Sequence, residues 1–333
     1  MTTNMINRLS ILAAFAISLL PTQSALALTP AELAGEYTSV VDNGTFGTSG
    51  RFRLILNKNG RGSVAVKLGS EAACVVFVGM DRGFEGSLIP IGSGDMSIRL
   101  VINPGPDGNP VLTGEVEEDG EIYTVLAPKV AADAGPAQGR ATFLIGSAAG
   151  SGNTGSGIAK VSKSGRVTGV ASVKGGRPVT FGGRLSPAYK LPIAVRLTGK
   201  AESLVGNVTF STTTIVGGFT FHTPASDQAL FVAGTSFNSA LPALNGSAPS
   251  FPLNIHLNGG PSIGTATWLS NGTIRSATLD NNRLRISINS TTGLVTGKSG
   301  DNKLRGIASQ GTNTLVGLVN GQVPFEIRPA TSQ

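Results

Sequence analysis

The chain has few of the residues from which disulfides, metal sites and reactive thiols are built. It contains one cysteine, Cys74, and two histidines, His222 and His256, in 333 residues. A single cysteine excludes an intrachain disulfide, and the apolar run 73–77 around it predicts a buried small side chain. Neither histidine has a second His, Cys or carboxylate at ligand spacing. We therefore expect neither a metal site nor a cofactor.

Recognisable catalytic groups are equally scarce. Acidic residues cluster only in 115–121, which indicates a solvated turn rather than two acids facing one cleft. No Gly-x-Ser-x-Gly elbow stands between a strand and a helix, and the glycine-rich run 146–157 precedes no helix that could bind phosphate. The sequence thus predicts a protein that is not an enzyme.

The alternative hypothesis is a carbohydrate-binding module or a carbohydrate-active enzyme, and it depends on Trp268. This is the only tryptophan, and it alternates with Ala266 along a predicted strand. We interpret Trp268 as a core or barrel-rim residue, with a sugar-stacking platform as the alternative. A pocket that combined Trp268 with two carboxylates would favour the enzyme.

Long apolar runs occur only at the N-terminus. Arg8, the apolar stretch 11–20 and the small residues at 25–27 follow one another in the order of a secretory signal peptide, with cleavage expected after Ala27. The run breaks at Pro21, short of the roughly 20 residues that a membrane anchor needs. No later segment is long and apolar enough to span a membrane as a helix. We expect a secreted, periplasmic or cell-surface protein, without a choice among the three.

What the chain has in abundance is hairpin turns. Small turn residues stand between alternating apolar segments at 58–61 (Lys-Asn-Gly-Arg), 163–166 (Lys-Ser-Gly-Arg) and 291–294 (Thr-Thr-Gly-Leu). Such turns between runs of period two are typical of β-hairpins. The 46 glycines and a charged fraction of 14% also disfavour helices. The exception is 29–32, where a capping residue, a proline and a glutamate predict one helical turn.

The pattern restarts after a Pro- and Ala-containing stretch at 128–139, which we interpret as a linker open to proteolysis. Segments in the same order on both sides indicate an internal duplication: 84–88 with 181–185, 98–100 with 193–195, and 112–116 with 204–208. We predict an all-β protein of two antiparallel meander domains, 28–133 and 134–333. Each is expected to be a closed or nearly closed barrel, or a sandwich, because a long open meander leaves exposed strand edges.

The glycine-containing segments also resemble a known group. The segments concerned are 139–143, 157–161, 164–169, 204–210, 286–297 and 304–308. Their order is similar to that in secreted bacterial β-repeat proteins, which are often appended to large surface proteins. The resemblance covers most of 35–329 and implies the fold, but it brings no activity, ligand or site residue. Lys174-Gly175-Gly176 replaces an Asp-Gly turn of that group, and its central tryptophans are largely missing.

Charge is distributed unevenly. Residues 28–133 carry 8 Lys/Arg and 14 Asp/Glu, a balance of −6, whereas 134–333 carry 17 and 5, a balance of +12. Strand alternation places five basic side chains of the second half on one outer sheet face: Lys160, Arg166, Lys174, Arg184 and Arg196. The simpler alternative is that these charges only solubilise a solvated face. Against it, 134–201 contain ten basic residues and no acidic one.

These observations favour an exported, non-catalytic structural or interaction protein of the cell surface or extracellular space. The basic face suits an anionic polymer, such as an anionic polysaccharide or another envelope component. It could instead pair with the acidic segment 115–121 of the same or a neighbouring molecule, which would give self-association. A nucleic-acid partner is disfavoured, because the basic residues lack interleaved aromatic side chains.

Overall fold

The computed structural model describes residues 29–42, 50–68, 71–77, 83–90, 96–147, 155–173, 177–197, 202–245, 250–269, 271–275, 277–279, 282–320 and 323–330, with backbone only for 71–77 and 83–90. The predicted signal peptide and Lys174 lie outside these ranges. None of the helices within them is long and apolar enough to cross a bilayer.

The α-helix found in these ranges is the predicted N-terminal turn. Helix α1 spans Pro30–Leu33 and begins at a capping box, in which Thr29 and Glu32 bond reciprocally. The Glu32 N–H donates to Thr29 Oγ1 (3.3 Å), and the Thr29 N–H donates to Glu32 Oε2 (2.7 Å). Both N-terminal donors are thereby satisfied.

The first eight strands form the first barrel. They are β1 (Gly35–Val41), β2 (Gly50–Leu56), β3 (Gly62–Leu68), β4 (Glu71–Phe77), β5 (Gly83–Pro90), β6 (Met96–Pro104), β7 (Pro110–Glu118) and β8 (Glu121–Pro128). Every strand pairs antiparallel with its neighbours in sequence, in the order β1 to β8. The sheet curls until its edges meet, and Tyr37 of β1 bridges to Lys129 just beyond β8.

The next eight strands form the second barrel. They are β9 (Gly139–Ser147), β10 (Gly155–Val161), β11 (Arg166–Val173), β12 (Val179–Arg184), β13 (Lys190–Arg196), β14 (Ser203–Phe210), β15 (Thr214–His222) and β16 (Asp227–Ser236). The order is β12-β11-β10-β9-β16-β15-β14-β13, because the last strand returns to pair with the first. The edge strands β12 and β13 lie side by side, so this barrel is nearly closed.

The remaining strands form a third sheet, a curled half-barrel. They are β17 (Ser250–Leu257), β18 (Ser262–Leu269), β19 (Ile274–Arg275), β20 (Thr278–Leu279), β21 (Asn282–Ile288), β22 (Leu294–Ser299), β23 (Asn302–Ser309), β24 (Thr314–Val319) and β25 (Val323–Pro329). Here too the first and last strands pair, with Ile255 of β17 opposite Ile327 of β25.

Each sheet encloses its own core because apolar residues alternate with polar ones along the strands. In β6, for example, Met96, Ile98 and Leu100 are buried, whereas Arg99 points outward. Three separate clusters of buried apolar side chains result, one for each sheet. The prediction of an all-β protein built from antiparallel barrels is confirmed. The part of the chain beyond residue 133 supplies two of the three sheets.

The three repeated turns join strands as predicted, and each contains a glycine with a positive φ. The values are 76° at Gly60, 72° at Gly165 and 72° at Gly293. In the first two, the backbone N–H groups of Asn57 and Ser162 each donate to the carbonyl four residues later. Residues with side chains rarely adopt this backbone conformation, so the repeated glycines have a direct structural reason.

The stretch 128–139 differs from the open linker that the sequence indicated. The Val130 N–H donates to Glu36 O of the first barrel (2.7 Å), and the Ala131 N–H donates to Leu185 O of the second (2.7 Å). Ala134 is completely buried, and its N–H bonds to Lys163 O. The division into 28–133 and 134–333 stays a prediction, although β8 ends at Pro128 and β9 begins at Gly139.

These hydrogen bonds lead to a prediction about proteolysis. We expect 128–139 to resist trypsin under native conditions, including cleavage after Lys129, because its backbone is hydrogen-bonded to both barrels. Partial digestion followed by mass spectrometry would test this, with the exposed turn at Lys58 and Arg61 as an internal reference. Rapid cleavage after Lys129, before the turn is cut, would contradict it.

Candidate functional site

A large cleft lies between the first and second barrels. Its volume is about 960 Å³. One wall consists of residues from β1, β2 and β3, and the other consists of residues from β11, β12 and β13. The cleft therefore lies over the edge strands at which the second barrel is not fully closed.

The wall from the second barrel presents two arginines side by side. Arg166 opens β11 and lies directly opposite Arg184 of β12. Their inward neighbours Val167 and Leu185 are fully buried, so both guanidinium groups point away from the core. Arg184 Nη2 donates to the carbonyl of Ser164 (2.9 Å), which holds the side chain over the hairpin turn.

The wall from the first barrel repeats this arrangement. Arg51 of β2 lies directly opposite Lys67 of β3, and Arg53 follows two residues along the same face of β2. Phe52 and Leu54 alternate with them and are fully buried. Two pairs of directly opposed cations thus face each other across the cleft.

Arg51 also connects the two walls. Its Nη1 donates to the carbonyl of Gly182 in β12 (2.9 Å). Gly183 leaves room for this approach, because a Cβ atom there would come within 2.9 Å of Arg51 Nη2. Burial lowers the pKa of Arg51 from its ordinary value, the nearby charge of Arg53 lowers it further, and Glu36 opposes both effects.

Glu36 is the one carboxylate among the residues that line this cleft. It accepts a hydrogen bond from Arg53 Nε (2.7 Å) and lies 3.9 Å from Arg184 Nη1. Five cations therefore face one anion. The Nε atoms of Arg51 and Arg184 are buried without a hydrogen-bond partner in the described part of the protein. Like charges opposite one another destabilise a sheet, and guanidinium groups match the geometry of carboxylate, sulfate and phosphate.

The structure distributes the five predicted basic residues unequally. Arg166 and Arg184 line the cleft. Lys160 lies on the same outer face but borders an adjoining groove. Arg196 is exposed on β13 opposite Ser203 and is not among the residues that line the cleft. Lys174 falls outside the described residues.

The opposite wall was not predicted from the sequence. Its cations, Arg51, Arg53 and Lys67, belong to residues 28–133, whose net charge is negative. A net charge summed over the whole segment does not reveal that two neighbouring strands are basic. Strand alternation around Phe52 and Leu54, applied to β2, would have placed Arg51 and Arg53 outward. The acidic segment 115–121, which is the alternative partner that the sequence offers for the basic face, contributes no residue to the lining of the cleft.

Trp268 lies in the third sheet and is 2% exposed. Its ring packs against Phe251, with centroids 6.3 Å apart. The interpretation as a core residue accounts for this position, because a ring buried to this extent presents no free face to a sugar.

The two histidines have hydrogen-bonding partners within the protein. His222 is fully buried, with Nδ1 2.8 Å from Asp227 Oδ1 and Nε2 3.4 Å from Asp42 Oδ2. His256 Nδ1 lies 2.9 Å from the carbonyl of Gly260. Among the residues that the structure describes, no group of three His, Cys, Asp or Glu is placed to hold a metal ion.

No protein-family model and no curated protein matches this chain. Solved structures with some likeness include a Bacteroides fragilis protein provisionally described as an outer membrane protein (16% identity, TM-score 0.22, 63% of this chain and 100% of that one). Another is isotype 1 transferrin binding protein B from serogroup B Neisseria meningitidis (11% identity, TM-score 0.24, 86% and 67%). A third is a Nostoc punctiforme protein of unknown function (11% identity, TM-score 0.22, 61% and 95%). Similarities this low support no inference about function. The observations that bear on function come from the cleft.

Proposed function

We propose that this protein is an exported, non-catalytic binding protein whose inter-barrel cleft binds an anionic polymer. One observation carries the proposal: two directly opposed cation pairs, Arg51 with Lys67 and Arg166 with Arg184, face one another across the cleft. Assembling four such charges costs electrostatic energy, which an anionic ligand would offset.

The arrangement suits binding rather than catalysis. Arginine guanidinium groups stay protonated near neutral pH and so transfer no protons. The single carboxylate in the lining, Glu36, is held in ion pairs with Arg53 and Arg184. The cleft therefore offers fixed positive charge and hydrogen-bond donors, which is what recognition of carboxylate, sulfate or phosphate groups requires.

The test compares cations inside and outside the cleft. We expect the mature protein to bind an immobilised anionic polysaccharide and to elute with moderate salt, because the screening length falls from about 10 Å at 0.1 M to about 3 Å at 1 M salt. Arg166→Gln with Arg184→Gln should weaken binding by roughly tenfold for each charge-assisted hydrogen bond removed. Arg196→Gln is the matched control, since Arg196 is an exposed arginine of the same barrel outside the cleft lining.

A loss of binding for Arg196→Gln equal to that of the double variant would contradict a localised site. No retention of the unmodified protein at low salt would contradict the function itself. Circular dichroism and thermal unfolding would show that each variant keeps its fold, as expected for side chains outside the core.

A further inference from the structure

A second groove adjoins the cleft on the outer face of the second barrel. Its volume is about 570 Å³, and its lining runs from β9 to β12. Thr168 and Thr180 border both this groove and the inter-barrel cleft. The two spaces therefore meet over β11 and β12, and together they form one path along the barrel.

The far end of this groove carries a third pair of opposed cations. Arg140 of β9 lies directly opposite Lys160 of β10. Arg140 Nη1 donates to the carbonyl oxygen of Thr291 at a distance of 3.2 Å. Thr291 lies in a turn of the third sheet that borders the groove. Thr142 Oγ1 donates to the carbonyl of the next residue, Thr292. The path thus begins beside the third sheet and ends between the two barrels.

The middle of the path combines hydroxyl groups with an apolar row. Ile158 of β10 lies opposite Thr142 on one side and opposite Val170 of β11 on the other, and Val170 lies opposite Thr180 of β12. This cross-strand row places two partly buried aliphatic side chains beside the exposed Thr180, whereas Thr142 is 1% exposed and its hydroxyl is bonded to Thr292. Pyranose rings present apolar C–H faces and hydroxyl edges, so such a row matches a sugar chain better than it matches a chain of bare phosphates.

From this path we infer that the ligand of the proposed cleft is a linear acidic polysaccharide, whose chain continues from the cleft along the second barrel to Lys160 and Arg140. The inference rests on the proposed function and names its ligand. Neighbouring strands lie about 4.8 Å apart, so β9 and β12 alone are separated by roughly 14 Å. A path of this length accommodates several sugar units.

The experiment uses galacturonate oligomers of defined length, from the dimer to the hexamer, with calorimetry on the mature protein. We expect affinity to rise with length, by roughly a hundredfold from dimer to hexamer, because successive charges engage successive cation pairs. Lys160→Gln should weaken hexamer binding about tenfold and dimer binding much less, because a dimer can still occupy the cleft, whereas Arg184→Gln should weaken both. Lys298→Gln, a lysine of the third sheet outside both linings, is the control and should change neither.

Different failures have different meanings. Equal affinity for dimer and hexamer, or an unchanged hexamer affinity in Lys160→Gln, would overturn the extended path while leaving anion binding in the cleft intact. Polyphosphate of equal charge binding as tightly as the hexamer would overturn the assignment to a sugar polymer. If no oligomer and no immobilised polyanion binds, the proposed function itself fails.

Discussion

Replacing Phe143 by alanine is expected to destabilise the second barrel by about 4 kcal/mol. Phe143 is 1% exposed and packs against Phe181, with ring centroids 6.1 Å apart. Its ring lies over Gly157 of the neighbouring strand, where a Cβ atom would come within 2.2 Å of the ring. Truncation would therefore open a cavity that the surrounding barrel wall cannot fill. Urea unfolding would measure the decrease in the free energy of unfolding.

Exchanging the sizes of the side chains at positions 143 and 157 tests whether the ring of Phe143 packs over Gly157. Gly157→Leu alone should be destabilising by overpacking, but combined with Phe143→Ala it should recover part of the stability, because the new side chain enters the vacated space. The matched control is Phe231→Ala, since Phe231 lies over Gly146 in the same barrel but is 41% exposed. Its destabilisation should stay near 1 kcal/mol. If the double variant lost as much free energy of unfolding as the sum of Gly157→Leu and Phe143→Ala, the packing of Phe143 over Gly157 would be contradicted.

The second large effect is a loss of stability at alkaline pH. Tyr37 is completely buried in the first barrel, where its hydroxyl donates to Leu33 O (2.6 Å). Burial raises the pKa of Tyr37 well above its ordinary value near 10. In the unfolded chain the phenol ionises near pH 10, whereas in the fold it stays neutral, so the unfolded state binds fewer protons. Stability is complete below pH 10 and falls above it by about 1.4 kcal/mol per pH unit.

Unfolding curves at pH 8, 10 and 11 would measure this dependence. The control is Tyr37→Phe, which removes the ionisable group and keeps the ring. It should be somewhat less stable at pH 8, because the hydrogen bond to Leu33 is removed, but its stability should depend much less on pH above 10. Identical pH dependence in both proteins would contradict the assignment to Tyr37.

Local sequence signals predicted the elements but not their long-range pairing. Alternating residues indicated strands such as β6, which spans Met96–Pro104 and includes the repeat segment 98–100, and the capping residue, proline and glutamate at 29–32 indicated α1. Alternation reports which face is buried, however, and not which strand lies alongside. The return of β16 to β9, and of β25 to β17, therefore could not be derived from the pattern, and the separation of the third sheet was not visible.

The predicted internal duplication also shows that local patterns do not specify the position of a strand in the sheet. The turns at Gly60 and Gly165 occupy equivalent places, between the second and third strands of their barrels. The segments matched by composition fall on β5, β6 and β7 in the first barrel and on β12, β13 and β14 in the second, one place apart in strand count. Glycine and aliphatic patterns are similar in all these strands, so they specify a strand without specifying its position.

Only part of the candidate site could be predicted from the sequence, for a related reason. Arg166 and Arg184 were placed on the outer face by alternation alone, and the structure places both in the cleft. Their neighbours across the cleft, Arg51 and Lys67, come from residues more than 90 positions earlier in the chain. Only the packing of one barrel against the other brings the two pairs together.

The pairing of first and last strands has a consequence for the order in which the chain folds. In the first barrel each strand pairs with the strand just before it, so a chain that is synthesised from its N-terminus can add strands as they emerge from the ribosome. The second barrel cannot close its β9–β16 seam until residues up to Ser236 have emerged, and the third sheet must wait for β25. Until then β9 and β17 each present an unpaired strand edge. During the interval between synthesis of these strands and synthesis of their partners, the open edges expose the emerging chain to misassociation.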